Sequence, residues 1–391
     1  MIAIVLTNPR HHAEILLPVV RELSRRGHRT RVVSLAEFRG FETPAWTDLG
    51  ATPVVRAVPV RWRTNPALGA DSAVVGPGTR ARRLAQRALW IGALGPRLRW
   101  LLHDARAVIV PNDSAFPYDQ LTRWLRSRRT PFLLVQEGIR FPLPGEHRAD
   151  VYGKGGATVC AWGEGTAEHF RRIGVPGDSI VITGNPRFDG LSPEAWRTQG
   201  HALLDRLGLH QAPLLYLSNP VDDQGFCSSA AKLSLFATFV QEAAAELRRT
   251  GTPLVVKLHP REDLAAFRAA AAGLEAAVSF AGDAPLFALL GVARAAVVLA
   301  STVGLEALAF GVPLAALALP GHGFAFEYVS HGAAVGLSPG AIAAGVAELL
   351  APPAATRAAA AAALVESQLA WRCQAAGRVA VAIEAAAGSR R

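Results

Sequence analysis

The sequence predicts two successive α/β domains, each built on a doubly wound parallel sheet. Three observations predict it: short β-branched runs alternate with amphipathic helical stretches, the alternation occurs twice, and 391 residues suit two domains of roughly 100–200 residues each. In the first half, strands are expected at 2–6, 31–34, 107–110, 131–135 and 158–161, with a helix over 13–26 stopped by Gly27. In the second half they are expected at 214–217, 254–258, 277–280, 296–299 and 314–319. The turn Gly184-Asn185-Pro186-Arg187-Phe188-Asp189-Gly190 follows a further strand over 179–183, and 191–209 reads as a polar helical connection. The expected organisation is a domain over 1–190, a connection over 191–210, a second domain over 211–365 and a C-terminal helix over 366–391. Two such domains facing a central cleft place a ligand at the carboxyl ends of their strands, where loops and helix N-termini converge.

Composition narrows the class. Half the residues are hydrophobic and 18% charged, which excludes disorder as the main state. The 41 basic and 31 acidic residues give a net charge of +10, and the only lysines are Lys154, Lys232 and Lys257. That excess fits an anionic partner such as a nucleotide, a phospholipid or a polyanionic glycan, although high-GC codon usage produces the same arginine bias. The basic residues sit on no recognisable nucleic-acid module, so no nucleic-acid partner is expected. Cys160, Cys227 and Cys373 are far apart and read as reduced, buried thiols. The N-terminus enters a strand pattern with no basic leader, and the apolar stretch 295–320 is broken by Ser301, Thr302, Glu306 and glycines. A cytoplasmic protein is expected, at most peripheral to the inner face of a membrane.

One segment departs from the alternation. Residues 79–106 interleave Arg80, Arg82, Arg83, Arg87, Arg97 and Arg99 with Trp90, Ile91, Leu94, Trp100 and Leu101. It reads either as a solvated arginine-rich face on an ordinary packing helix, or as a stretch that lies on an anionic membrane surface or grips a polyanionic acceptor.

Candidate chemistry lies at strand ends. Lys257 and His259 stand two residues apart where an apolar strand leaves its sheet, so both side chains point to one side, and Pro260 stiffens the turn. A cation and an imidazole there suit phosphate oxygens. About forty residues on, a buried strand runs into Ser301-Thr302 at the start of a helix, an anion site made of two hydroxyls and first-turn amides, with Glu306 one turn in and suited to ribose hydroxyls. Read alone, Ser301 or Thr302 is equally an N-cap and Glu306 a favourable first-turn charge. Asn185 and Arg187 occupy the turn after residue 183, where Arg187 either reaches phosphate or contacts Asp189. His11 and His12 lie in the first strand-to-helix loop, and Glu137 follows the strand at 131–135. Glu137 or His12 is a candidate base for an acceptor hydroxyl, whereas Glu137 paired with Arg140 is the structural alternative.

Absences discriminate further. No Asp-x-Asp occurs, so the usual metal-clamping carboxylate pair of sugar transfer is missing, and no bound metal or cofactor is expected. Neither a P-loop nor a G-x-G-x-x-G follows the first strand. The one G-x-S-x-G string, Gly336 to Gly340, has Pro339 where a hydrolase elbow needs an amide N–H.

At these residues the sequence resembles GT-B-fold glycosyltransferases of bacterial surface-polysaccharide assembly, those with paired His-Pro and Ser/Thr motifs: capsular Kdo transferases, polysialyltransferases and CDP-glycerol glycerophosphotransferases. Lys257-Leu258-His259-Pro260 is similar to their His-Pro motif, Ser301-Thr302-Val303-Gly304-Leu305-Glu306 to their Ser-containing motif, and Gln136-Glu137-Gly138 to their acidic-glycine segment. The resemblance implies two Rossmann-like domains and metal-independent, inverting transfer of a sugar from a CMP- or UDP-linked donor to a surface-polysaccharide or lipid-linked glycan acceptor. It implies nucleotide contacts from the first two motifs and a base at Glu137. Residues 135–140 and 183–185 are also similar to segments of UDP-GlcNAc 2-epimerases, which makes epimerisation the alternative, alongside a CDP-glycerol-type transfer.

Overall fold

A computed structural model describes residues 1–59, 80–138, 152–156, 158–190, 192–274 and 278–388. The expected Glu137–Arg140 pair and Ala277 at the start of an expected strand therefore lie partly outside the described residues. The chain divides into two compact units, the first formed from the described part of 1–190 with 367–388, the second from 192–366.

In the first unit the chain runs β1 (Ile2–Leu6), α1 (His11–Arg25), β2 (Thr30–Ser34), β3 (Val54–Arg56), α2 (Arg80–Leu89), a π-helical turn (Trp90–Leu94), α3 (Gly95–Leu101), β4 (Ala107–Val110), α4 (Tyr118–Ser127), β5 (Phe132–Val135), β6 (Thr158–Ala161), α5 (Glu164–Arg172) and β7 (Ile180–Ile182). The seven strands are all parallel in the order β3-β2-β1-β4-β5-β6-β7. Strand alternation explains why both faces are apolar. Ala3, Val5, Val108, Val110 and Leu134 meet Trp90, Leu94, Leu98, Leu121 and Leu125 on one side. Ile2, Ile4, Leu6, Ile109, Leu133 and Val135 meet the apolar stripe of α1 (Ile15, Leu16, Val19, Val20, Leu23) on the other. Helix α1 ends at Gly27, whose φ of +83° suits the left-handed stop that glycine favours.

The second unit runs α6 (Pro193–Arg206), β8 (Leu214–Leu217), α7 (Ser229–Thr250), β9 (Leu254–Lys257), α8 (Leu264–Ala271), β10 (Val278–Phe280), α9 (Leu286–Leu290), β11 (Ala295–Val298), α10 (Val303–Ala309), β12 (Leu314–Leu317), β13 (Val335–Leu337), α11 (Ile342–Leu350) and α12 (Ala355–Gln368). Its six parallel strands are ordered β10-β9-β8-β11-β12-β13. Leu214 and Tyr216 of β8 meet Phe236, Phe239 and Val240 of α7 in a core with Val256, Val297, Leu317 and Val346.

The last helix, α13 (Ala375–Gly388), returns to the first unit and lays Val379, Ala380 and Ile383 on the α1 side of its sheet. Asp189 caps it, accepting the Ala375 and Ala376 amides at 2.8 and 2.6 Å. Both sheets reverse strand order once, between β1 and β4 and between β8 and β11, and ligands of such folds sit at the carboxyl ends beside that reversal. The cysteines are all free, but only Cys160 is buried; Cys227 is half-buried and Cys373 exposed, which corrects the expectation of three buried thiols.

Candidate active site

In the second unit, three consecutive strand-to-helix loops around the reversal are tied into one structure. Lys257 closes β9 opposite Leu217 of β8 and donates from Nζ to the Gly282 carbonyl at 2.8 Å. Beyond it, the His259 amide donates to Glu262 Oε2 at 2.8 Å, and His259 Nδ1 accepts the Arg261 amide at 3.2 Å. An Nδ1 that accepts leaves Nε2 as the hydrogen-bearing nitrogen, a tautomer assigned from the hydrogen-bond network. Pro260 is exposed at the tip of this turn.

Glu262, its side chain only 1% exposed, also accepts Ser218 Oγ at 2.8 Å and pairs with Lys232 Nζ at 3.2 Å. Lys232 in turn meets Asp222 at 2.6 Å, and burial is outweighed by these two carboxylates, which hold its ammonium above the ordinary lysine range. The charge on Lys232 is therefore structural, holding the Glu262 that holds the His259 turn. From the next residue after Ser218, Asn219 donates Nδ2 to the Ala300 carbonyl at 2.7 Å, immediately before Ser301. The loop after β8 thus joins the His-Pro turn on one side to the Ser-Thr turn on the other. Asn219 is 6% exposed, and its Oδ1 has no hydrogen-bond partner among the described residues. A buried acceptor left in that state costs about 1–3 kcal/mol unless a ligand or water donates to it.

Ser301 and Thr302 are half-buried where β11 meets α10. Ser301 Oγ accepts the Val303 amide at 3.3 Å, whereas Thr302 makes no capping bond. Tyr328, fully buried, fixes the turn: its hydroxyl donates to the Ser301 carbonyl at 3.0 Å and accepts the Leu305 amide at 3.1 Å. Glu306 is 4% exposed on the buried side of α10. Gly304 is needed because a Cβ there would lie 2.7 Å from the Tyr328 ring. Glycine to alanine inside a helix ordinarily stabilises, by about 0.5–1 kcal/mol. Here Gly304→Ala is expected to destabilise by about 1–3 kcal/mol through overpacking, read as a lower urea midpoint with an unchanged slope. An unchanged or raised midpoint would contradict this packing.

In the first unit, the loops after β1, β4 and β5 meet at a second cluster. His12 Nε2 lies 2.8 Å from Glu137 Oε2, and Asn112 Nδ2 donates to Glu137 Oε1 at 2.7 Å. His12 Nδ1 is 3.3 and 3.2 Å from the amides of Thr7 and Asn8, so it accepts and Nε2–H is given to the carboxylate. Burial opposes the charge on Glu137, but the His12 hydrogen bond, the two neighbouring imidazoles and Asn112 outweigh it and hold the carboxyl below its ordinary range. His11 Nε2 donates to the Glu137 carbonyl at 2.8 Å; burial first, then His12, push its pKa from 6.5 down to about 4. Because the unfolded chain binds that proton more readily, stability falls as pH drops from about 6.5 toward about 4, by up to about 3 kcal/mol. His11→Gln should remove that part of the slope in melts from pH 7 to 4.5; a variant with the wild-type slope would contradict the assignment.

Asn185 and Arg187 belong to the first unit and are engaged within it. Asn185, 2% exposed, accepts the Arg187 amide at 3.0 Å, and Arg187 Nε meets Glu14 Oε2 at 2.8 Å, where the sequence suggested Asp189 or a phosphate. Strand-end reasoning applied to the loops after β4 and β8 would have found Asn112, Ser218 and Asn219; Tyr328 carries no local signal. Among the described residues, no three His, Cys, Asp or Glu side chains gather as a metal site.

The family model described as Capsule polysaccharide biosynthesis protein matches residues 222–326, a stretch that contains both the His259 and Ser301 turns. Solved structures align over nearly the whole chain. UDP-GlcNAc 2-epimerase from Neisseria meningitidis, solved with UDP-GlcNAc, is 12% identical with a TM-score of 0.62, over 98% of this chain and 100% of that one. A glycosyltransferase from Rickettsia africae is 12% identical with a TM-score of 0.56, over 100% and 99%. The chain has a GT-B fold. The wall teichoic acid polymerase TagF is 11% identical with a TM-score of 0.57, over 100% of this chain and 89% of that one. No curated protein sequence matches the chain significantly.

Proposed function

We propose that the protein is an inverting, metal-independent glycosyltransferase that moves a sugar from a nucleotide sugar to a surface-polysaccharide or lipid-linked glycan acceptor. The observation that carries the reading is the joining of the His259 turn and the Ser301 turn through Ser218 and Asn219 at the strand-order reversal of the second sheet, both turns falling inside the segment similar to capsule-synthesis proteins. In this reading Lys257, His259 Nε2–H and the Ser301 and Thr302 hydroxyls donate to the nucleotide phosphate, and Asn219 Oδ1 takes a hydrogen bond from a ligand hydroxyl. Pro260 shapes the turn, and Glu306 accepts hydrogen bonds from the ribose hydroxyls. Glu137 accepts the proton of the acceptor hydroxyl, whose oxygen attacks the anomeric carbon while the phosphate departs with the bonding electron pair. His12 has its Nδ1 committed to backbone amides and its Nε2–H to Glu137, so its role is to position and hold that base ionised. Asn185 and Arg187 shape the first unit in this reading and hold no phosphate.

The likeness to a UDP-GlcNAc 2-epimerase gives the test its second arm. CMP-, CDP- and UDP-linked sugars are incubated with and without candidate glycan acceptors. A transferase consumes the donor in proportion to acceptor, with a CDP-glycerol donor included to detect glycerophosphate transfer. Conversion of a UDP-sugar to its 2-epimer without acceptor would replace this reading with the epimerase one.

A further inference from the structure

The arginine- and tryptophan-bearing stretch takes no part in the chemistry above, yet it has two distinct faces. Trp90, Leu94, Leu98 and Leu101 are buried against the first sheet and anchor it. The outward face carries Leu84, Ile91 and Trp100, which are 66%, 64% and 62% exposed. Seven large hydrophobic side chains are strongly exposed among the described residues, and three of them fall within these seventeen positions. Packing against the sheet therefore accounts for Trp90, Leu94, Leu98 and Leu101, with Leu89 partly buried beside them, and leaves Leu84, Ile91 and Trp100 in water.

The charge around them is of one sign. Residues 80–101 contain six arginines and no Asp or Glu. Arg83, Arg87, Arg97 and Arg99 are exposed, and none pairs with a carboxylate among the described residues. Arg97 lies 4.8 Å over the Trp100 ring, so a guanidinium and an indole ring are presented together. Uncompensated cations beside protruding Leu, Ile and Trp match a surface with anionic headgroups outside and hydrocarbon beneath. A soluble polyanion would use the arginines and gain nothing from Leu84 and Ile91. Among the described residues no helix is long and apolar enough to cross a membrane, so the contact is interfacial.

We propose that α2, the π-helical turn and α3 form a docking face for an anionic phospholipid bilayer, with Leu84, Ile91 and Trp100 inserted and the arginines on the headgroups. This inference is independent of the donor-site reading and stands or falls separately. The full chain is sedimented with phosphatidylcholine vesicles, with and without about one-third phosphatidylglycerol, at about 0.05 and 0.5 M salt, between which screening of exposed charges becomes severe. The expected result is binding only to the phosphatidylglycerol vesicles, at least about tenfold weaker at high salt and at least about tenfold weaker in Leu84→Ser/Ile91→Ser/Trp100→Ser. Arg83→Glu/Arg87→Glu/Arg97→Glu/Arg99→Glu should abolish it, and Trp100→Phe should remove a blue shift of tryptophan fluorescence seen on binding. Both multiple variants alter exposed positions and are checked by thermal melting; Ile91→Ser and Trp100→Ser alone provide milder versions. Absence of sedimentation at low salt overturns the proposal. So does binding that the serine variant leaves unchanged, which would point to a soluble polyanion, and so does a concentration-dependent dimer abolished by the serine variant, which would assign the face to a second copy of the chain.

Discussion

Glu137→Gln is expected to lower sugar transfer by about 10²–10⁴-fold, the usual contribution of a positioned base, while leaving nucleotide binding to the second unit unchanged. The variant keeps the volume and one accepting oxygen for His12, removes the negative charge, and sets an amide NH2 against the Asn112 donor, so its fold is checked by thermal melting beside the assay. Its effect should fall on kcat, because a base acts on the proton as the transition state forms. His12→Asn tests the same unit differently: if the imidazole only keeps the carboxylate ionised and aimed, the acid limb of the pH–rate profile moves to higher pH and activity recovers in part above it. A Glu137→Gln enzyme within a few-fold of wild type would remove Glu137 from the reaction.

The second large effect is at His259. His259→Ala should cost about 10²–10³ in rate, as removal of one preorganised donor to a developing negative charge does elsewhere. The backbone of the turn is held by Glu262 through the His259 amide, and that bond survives the substitution. The loss should therefore be one of chemistry, with the melting temperature nearly unchanged. Glu262→Gln, by contrast, weakens the pairing with buried Lys232 and is expected to lower stability and rate together. Near-normal turnover of His259→Ala on an identified donor would contradict the assignment.

Much of this was legible in the sequence because parallel strands buried on both faces read as apolar runs, and both motif-bearing strands, β9 and β11, fall where their Val and Ala runs place them. Of the four three-residue edge strands, β7 and β10 were legible, whereas β3 ends in Arg56 and β13 is interrupted by Gly336, which leaves no apolar run to read. At the site, what a strand end presents was visible, but what holds it was not. Glu262 lies two residues beyond the His-Pro motif, and its partners Ser218 and Lys232 lie 44 and 30 positions away from it. Tyr328 reaches the Ser301 turn from 27 residues on, and only its close packing against Gly304 reveals why that motif carries a glycine. Likewise His12 and Glu137, two separate candidates 125 residues apart, form one pair because β1 and β5 both flank β4. Arg187 is paired with Glu14, 173 positions earlier, a contact the sequence did not signal.

Nucleotide binding at the Ser301 turn is the most direct measurement. CMP, CDP and UDP are titrated onto the full chain and onto Ser301→Ala/Thr302→Ala, with unfolding followed in each case. One nucleotide should stabilise the wild-type chain by about 2.7 kcal/mol at about 100 times its dissociation constant, and the double variant far less. Failure of all three to stabilise the wild type, or equal stabilisation of the variant, would contradict a phosphate site between the His-Pro and Ser-Thr turns.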